Sequence, residues 1–452
     1  MIGGCIRRRG LAASLGAAIA AAAVLSATPV AAQEYRPSLL VFPPFGHSYG
    51  FHKAGALSLK MFLGLRASLE EPQGIACTRL AATDDPATAD DDDELTVYLV
   101  NSNRHQVIYN RGMGTLSSYG SLGRGDGQFH TPQGIAAGSD GFVYVADMNN
   151  DRIVCLHNDG RRLAFVRTVG AGDLSHPRGC AVDSRGYLYV ADTGHDRIVV
   201  YDPVGRPANR FGDSATCYRP SAVAAVDFTD RWSFRHETVI VAVDGDGGRI
   251  TAYDQFGRVR AAVDGAALGL PGAHFGAVAI DYYGSVYATD LVNHQIHKFD
   301  HDLAYIASFG RRGTGDFEFD SPRGIAIWKR YGQVFVSERE SAQYYWIGID
   351  GFIKSVSPRV IDRRHPGATI LMTLYEPADF RIVVADSAGR IVRDLVPEFR
   401  EKLGDNYVIW DGLDENGDEV PRGEYTIRLT LEPTYSAKGY FSKTLTAAVR
   451  KD

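Results

Sequence analysis

The sequence is poor in sulfur, with 5 cysteines and 5 methionines in 452 residues. Cys77 and Cys180 follow glycine at matching places, in "GIAC" and "RGCA", and Cys155 stands where a parallel stretch has Val199. These are places for small buried hydrophobes, although an exported chain also permits a disulfide. There is no G-x-S-x-G elbow, no H-E-x-x-H helix and no phosphate-binding loop ahead of a helix, so three common hydrolase and nucleotide-binding chemistries are left without their residues. Positive charge is not in excess: 48 Lys and Arg face 54 Asp and Glu, a net −6, which gives no footprint for a nucleic-acid partner. Helical periodicity is scarce, and one apolar run stands out, Leu11 to Leu25. That run is shorter than the ~20 residues of a membrane span.

The run has a different meaning at this position. Arg7, Arg8 and Arg9 precede it and Val30-Ala31-Ala32 follows it, just before Gln33. A basic start, an apolar middle and small residues at −3 and −1 predict a secretory signal peptide over residues 1–32. The rest is expected to be exported, to the periplasm, the cell surface or the medium. The whole chain has 49 glycines, 23 tyrosines and many short β-branched runs, a β-rich composition for two or three domains.

One stretch is written repeatedly. "VYVADMNNDRIV" starts at Val143 and "LYVADTGHDRIV" at Leu188, with related stretches from Val97, Val239, Val286 and Val334. Ahead of each lies a second element: "EPQGIAC", "TPQGIAA", "HPRGCAV", "RPSAVAA", "HFGAVAI" and "SPRGIAI". That makes six units, each holding four short runs of strand-forming residues between Gly, Asp and Asn turns. A four-strand repeat of this length describes propeller blades, because one such sheet cannot bury both faces alone.

The pattern P-x-G-I-A, V-Y-V-A-D, N-x-D-R-I resembles the NHL-repeat propellers over about residues 60 to 357. The expected fold is all-β, with six blades, or seven if residues 38–64 hold a worn unit. Unit four is degraded by the inserted "DFTDRWSFRHE" (227–237), and Leu57 to Phe62 reads as a stray outer strand that closes the ring against the last blade. Asp147, Asp192 and Asp290 end the second strand of their units and suit acceptors for the following turn's N–H groups. Arg152 and Arg197 begin the third strands, within reach of acids or carbonyls. A feature repeated in nearly every blade belongs to the architecture.

Chemistry is expected where the innermost strands begin, at the mouth of the channel. The x positions of P-x-G are Gln73, Gln133, Arg178, Ser221, Gly276 and Arg323, and the places before proline add Glu71, Thr131, His176, Arg219, His274 and Ser321. This ring is polar with a basic lean, fit for a carboxylate, a phosphate or a sugar. The expected role is non-catalytic binding of a protein or carbohydrate, with no cofactor. The alternative is a metal-dependent propeller enzyme, a lyase or lactonase with zinc or calcium in the channel. Peptidylglycine amidating lyases, similar to NHL propellers, imply histidine right after that proline, and none of the six places has one. His176 and His274 stand one place off, and a catalytic zinc wants three protein ligands. "DDPATADDDDE" (84–94) reads as a solvated loop, and His294 and His297 are spaced three apart, which does not put them on one strand face.

The repeat ends near Ser357, and residues 358–365 read as a linker. Over residues 366–452, Trp410-Asp411-Gly412, Asp414, Gly417, Val420-Pro421, Gly423 and Tyr425 resemble the FlgD-type immunoglobulin-like domain. The resemblance implies a β-sandwich with Trp410 and Tyr425 between the sheets, serving as a spacer or a sorting signal. "DENGDE" (414–419) reads as a hairpin turn, since the bidentate glutamate of a calcium loop is absent.

Overall fold

The computed structural model describes residues 38–43, 53–54, 56–83, 95–110, 115–270, 272–401 and 403–452. The segment 1–32, expected to be a signal peptide, and the acidic stretch 84–94 lie outside these. Each unit of the repeat is an antiparallel sheet with its strands in chain order, as in Pro177–Val182, Leu188–Asp192, Arg197–Tyr201 and Pro207–Phe211. Six such sheets stand among the described residues. Their first strands lie side by side, and that of the sixth, Gly324–Trp328, lies beside that of the first, Pro72–Arg79, so the ring closes. Second strands such as Leu188–Asp192 and Val239–Asp244 are buried along their whole length. Neighbouring sheets cover both faces, which is why strict alternation is missing from the sequence.

Ring closure differs from the expectation. Residues 57–62 are not a strand; they belong to the helix Ala56–Leu63, built from the good helix formers Ala, Leu, Lys and Met. Leu59, Phe62 and Leu63, at i, i+3 and i+4, pack against the first and sixth sheets. The closing strands are Leu40–Val41 and Lys53–Ala54, both antiparallel to Ala342–Ile347 of the sixth sheet. The described part of residues 38–64 therefore adds strands to the sixth sheet instead of forming a unit of its own.

With that outer edge taken, the strand Gly351–Ser357 pairs with Ala368–Leu374, which in turn pairs with Gly404–Trp410. Residues 351–357, expected with the propeller, thus belong to a sheet of the sandwich. Within the expected linker, Val360–Ile361 runs parallel to Lys443–Lys451 at the edge of the second sheet. The two sheets enclose one core, in which the rings of Trp410 and Tyr425 lie 5.3 Å apart. The Trp410 indole N–H donates to Leu413 O at 3.0 Å, and Tyr425 O–H to Pro421 O at 2.7 Å. Asp411 accepts the Leu413 N–H, and Gly412, at φ +78°, turns the chain. Gly423 opens the long strand Gly423–Pro433 that carries Tyr425. In "DENGDE", Asp414 accepts the N–H groups of Asn416 and Asp418, closing a hairpin turn.

The sandwich meets the turns between first and second strands of the fifth and sixth sheets: Tyr283 O–H is 2.7 Å from Thr434 Oγ1, and Ser436 N–H donates to Tyr331 O. The inserted segment 227–237 lies at the same end of the ring. Asp227 accepts from Ser184 of the third sheet, Phe234 N–H donates to Tyr282 O of the fifth, and Asp230 pairs with Lys329 of the sixth. What reads as decay of unit four is a strap across the turns of three other sheets. No described helix is long and apolar enough to cross a membrane.

Candidate functional site

At the other end of the ring the first strands begin. Their P-x-G glycines let the strands converge: a Cβ on Gly134 would sit 2.5 Å from Arg178 O, and one on Gly179 2.6 Å from Ala222 Cα. The strands converge on a cavity of about 180 Å³, lined by Gln73, Gln133, Arg178, Ser221, His274 and Arg323, with Gly276 and Leu291 opening one side.

The lining is unequal in charge. Arg323 is paired with Glu71, and Arg219, outside the cavity lining, stands 3.6 Å from Asp246. Arg178, half-buried, meets no carboxylate among the described residues. Ser221 Oγ is buried without a hydrogen-bond partner, and Gln133 Nε2 reaches Ser102 Oγ at 3.2 Å. The x positions thus come together around one cavity.

The places before proline have a different task. Glu71, Thr131, His176, Arg219 and Ser321 all have φ between +46° and +53°. Left-handed backbone costs a non-glycine residue roughly 1 kcal/mol, and four of these five N–H groups are bound across a seam in return. His176 N–H donates to Asp151 and Arg219 N–H to Asp196, both at 2.8 Å; Thr131 N–H donates to His105 Nδ1 at 3.2 Å and Ser321 N–H to His294 Nδ1 at 2.9 Å. Thr131, His176, Arg219 and Ser321 are clasps between neighbouring blades, and His176 does not line the cavity. The sequence reading missed these clasps, since non-glycine residues in such turns carry no composition signal.

Two clasps use an imidazole where the others use a carboxylate. Burial pushes the His105 pKa below the usual 6.5; His130, its ring 6.1 Å away, pushes the same way and Asp147 opposes. A lowered folded-state pKa means the unfolded chain binds the proton more readily. The contribution is complete above the unfolded value of about 6.5 and is lost as pH falls through the folded value. His105→Asp, copying Asp151, is expected to weaken the fall of Tm on acidification from about pH 7.5 to 5, measured by scanning calorimetry; an unchanged pH profile would remove His105 from the clasp.

The repeated acids are hubs. Asp147, Asp192 and Asp290 are fully buried, and each accepts an N–H just ahead of its blade's first strand: His130 and Ser175, two before the proline, and His274, one before its equivalent Phe275. Asp290 also takes the N–H groups of Val292 and Asn293 in the following turn. Arg152 Nε donates to Asp147 at 2.9 Å and Arg197 Nε to Asp192 at 2.7 Å, and their remaining N–H groups reach the Gly125 and Asp173 carbonyls. In the fifth blade His297 takes that part, 3.1 Å from Asp290.

Cys77, Cys155, Cys180 and Cys217 are all free. Burial pushes the Cys155 thiol up to about 11 and the other three to about 12, so none supplies a thiolate near neutrality. Among the described residues, no three His, Cys, Asp or Glu side chains form a group that would hold a metal ion.

The family model for the NHL repeat matches residues 129–156, the second blade, and that for the FlgD Ig-like domain matches residues 363–433. The chain carries an NHL repeat and a FlgD Ig-like domain. Among solved structures, the chain is similar to a streptogramin B lyase, at 16% identity over 62% of this chain and 95% of that one, with a TM-score of 0.43. A gluconolactonase from Xanthomonas campestris is similar at 14% identity over 69% and 99%, with a TM-score of 0.45. The nidogen/laminin complex structure is similar at 20% identity over 53% and 80%, with a TM-score of 0.39. These likenesses say nothing of the chemistry. A search of curated proteins gives no match.

Proposed function

We propose that this chain is an exported, non-catalytic binding protein that takes a protein or carbohydrate ligand at the mouth of its propeller channel. The observation that supports this reading is the ring itself: amides, a hydroxyl and Arg178 converge on one cavity, at the end of the strands away from the sandwich. Arg178 is the member free to meet an anionic group, through charge-assisted hydrogen bonds. Gln73 and Gln133 offer both donors and acceptors, which suits hydroxyls and peptide groups alike. The propeller is proposed to end, and the sandwich to begin, near Asp350.

The test is a screen of the purified exported chain against neutral and acidic oligosaccharides and envelope proteins, followed by titration of any hit. The Arg178→Ala, Arg219→Ala, Arg323→Ala triple variant is expected to bind at least tenfold more weakly, since a hydrogen bond to a charged group contributes about 1.5–3 kcal/mol. Most of that loss should appear in Arg178→Ala alone, as Arg219 and Arg323 already face carboxylates. Unchanged affinity in the triple variant would turn attention away from this face.

A further inference from the structure

Lys298 is an anomaly. It lies on the strand Gln295–Phe299 of the fifth blade and is fully buried. Glu376, in the loop after Ala368–Leu374 of the sandwich, is 1% exposed and forms an ion pair with its Nζ. The pair is short of the hydrogen bonds that make a buried ion pair tolerable. Lys298 Nζ has no hydrogen-bond partner, nor has Glu376 Oε2, nor Oδ2 of Asp281, a third buried ionisable group acting on Lys298. These unsatisfied atoms belong to three buried side chains, and the Tyr287 ring centre lies 5.1 Å from Nζ. Tyr287 O–H donates to Glu376 Oε1 at 2.6 Å.

We propose that Lys298 and Glu376 are the two halves of an intramolecular isopeptide bond that welds the fifth blade to the sandwich. Neutral Nζ attacks Cδ of the Glu376 carboxylic acid, whose Oε1 the Tyr287 hydroxyl polarises. The Asp281 carboxyl, held protonated, gives its proton to the departing hydroxyl and takes one from Nζ in return, so that one amide forms and one water leaves. No oxidant, reductant or co-reactant enters. The protonation states suit the step: burial pushes the Lys298 ammonium below the ordinary lysine range, against the pull of Asp281, and pushes the Asp281 carboxyl above its own range. The product replaces two buried charges with one neutral amide, which costs less to bury.

Intact-mass and tryptic peptide mapping of the full exported chain test this. The expected result is a protein one water lighter than its sequence, with no cleavage after Lys298 and one branched peptide joining it to the segment holding Glu376. Asp281→Asn should leave the chain at full mass, and Lys298→Met should do the same. Glu376→Gln should restore the same linked peptide by losing ammonia in place of water, an outcome that a mere ion pair would not give. A wild-type chain of full mass whose Lys298 and Glu376 fall on separate peptides overturns the proposal without recourse to any variant, and leaves an ion pair.

Discussion

Asp192→Ala is expected to destabilise the propeller by about 3–5 kcal/mol, the range for removing one partner of a buried ion pair. Asp192 is completely buried and gathers three donors: Ser175 N–H at 2.7 Å, His195 Nδ1 at 2.9 Å and Arg197 Nε at 2.7 Å. Truncation leaves a backbone donor and a guanidinium without their acceptor, and the loop leading to the third blade's first strand loses its anchor. Asp192→Asn keeps a neutral acceptor for Ser175 N–H and should lose roughly half as much, since hydrogen bonds without charge contribute about 0.5–1.5 kcal/mol. Urea unfolding followed by far-UV circular dichroism measures both. A loss below about 1 kcal/mol for the alanine variant would mean that the repeated aspartate is not a folding device, and its function would have to be sought again.

That hub shows what a repeated sequence discloses and what it conceals. The V-A-D and D-R-I pairing places Asp192 and Arg197 on adjacent strands five residues apart, so their contact is local and visible in the pattern. The loop N–H groups it serves are less visible, because backbone donors leave no mark in the sequence. The same holds at the mouth. Gln73, Gln133, Arg178 and Arg323 were legible as a ring because each follows a proline at the same place in its unit. Glu71, Thr131, His176, Arg219 and Ser321 looked like ligands beside them, and nothing in their chemistry announced left-handed turns.

The remaining misses are contacts between distant segments. Leu40–Val41 and Lys53–Ala54 are too short to show a period, and their partner strand lies about three hundred residues later in the chain. With those strands on the outer edge of the sixth sheet, Gly351–Ser357 pairs with Ala368–Leu374 instead, a pairing that no local pattern announces. Lys298 was passed over for the histidines around it. Its significance comes from Glu376, far along the chain in the sandwich, together with Asp281 of its own blade.

The second large effect lies in that sandwich. Trp410→Ala is expected to lower its stability by about 3–5 kcal/mol, the usual range for removing a buried tryptophan. The ring is fully buried, packs on Tyr425, and ties the end of Gly404–Trp410 to the Leu413 carbonyl through its indole N–H. Trp410→Phe keeps most of the apolar volume but leaves that carbonyl unpaired, so a loss nearer 1–2 kcal/mol is expected. The other three tryptophans, Trp232, Trp328 and Trp346, all lie in the propeller. The Trp346 ring lies 5.4 Å from that of Tyr440 in the sandwich. In the Trp410→Ala protein with Trp346→Phe added, fluorescence therefore follows the propeller, while hydrogen exchange at Ile427 and Leu429 reports the sandwich core. Faster exchange at those two amides with an unmoved fluorescence transition would show the sandwich opening on its own. Both moving together would show that the contacts around Tyr283, Tyr331 and Glu376 make ring and sandwich one cooperative unit. Exchange no faster than in the wild type would deny Trp410 its place at the centre of the core.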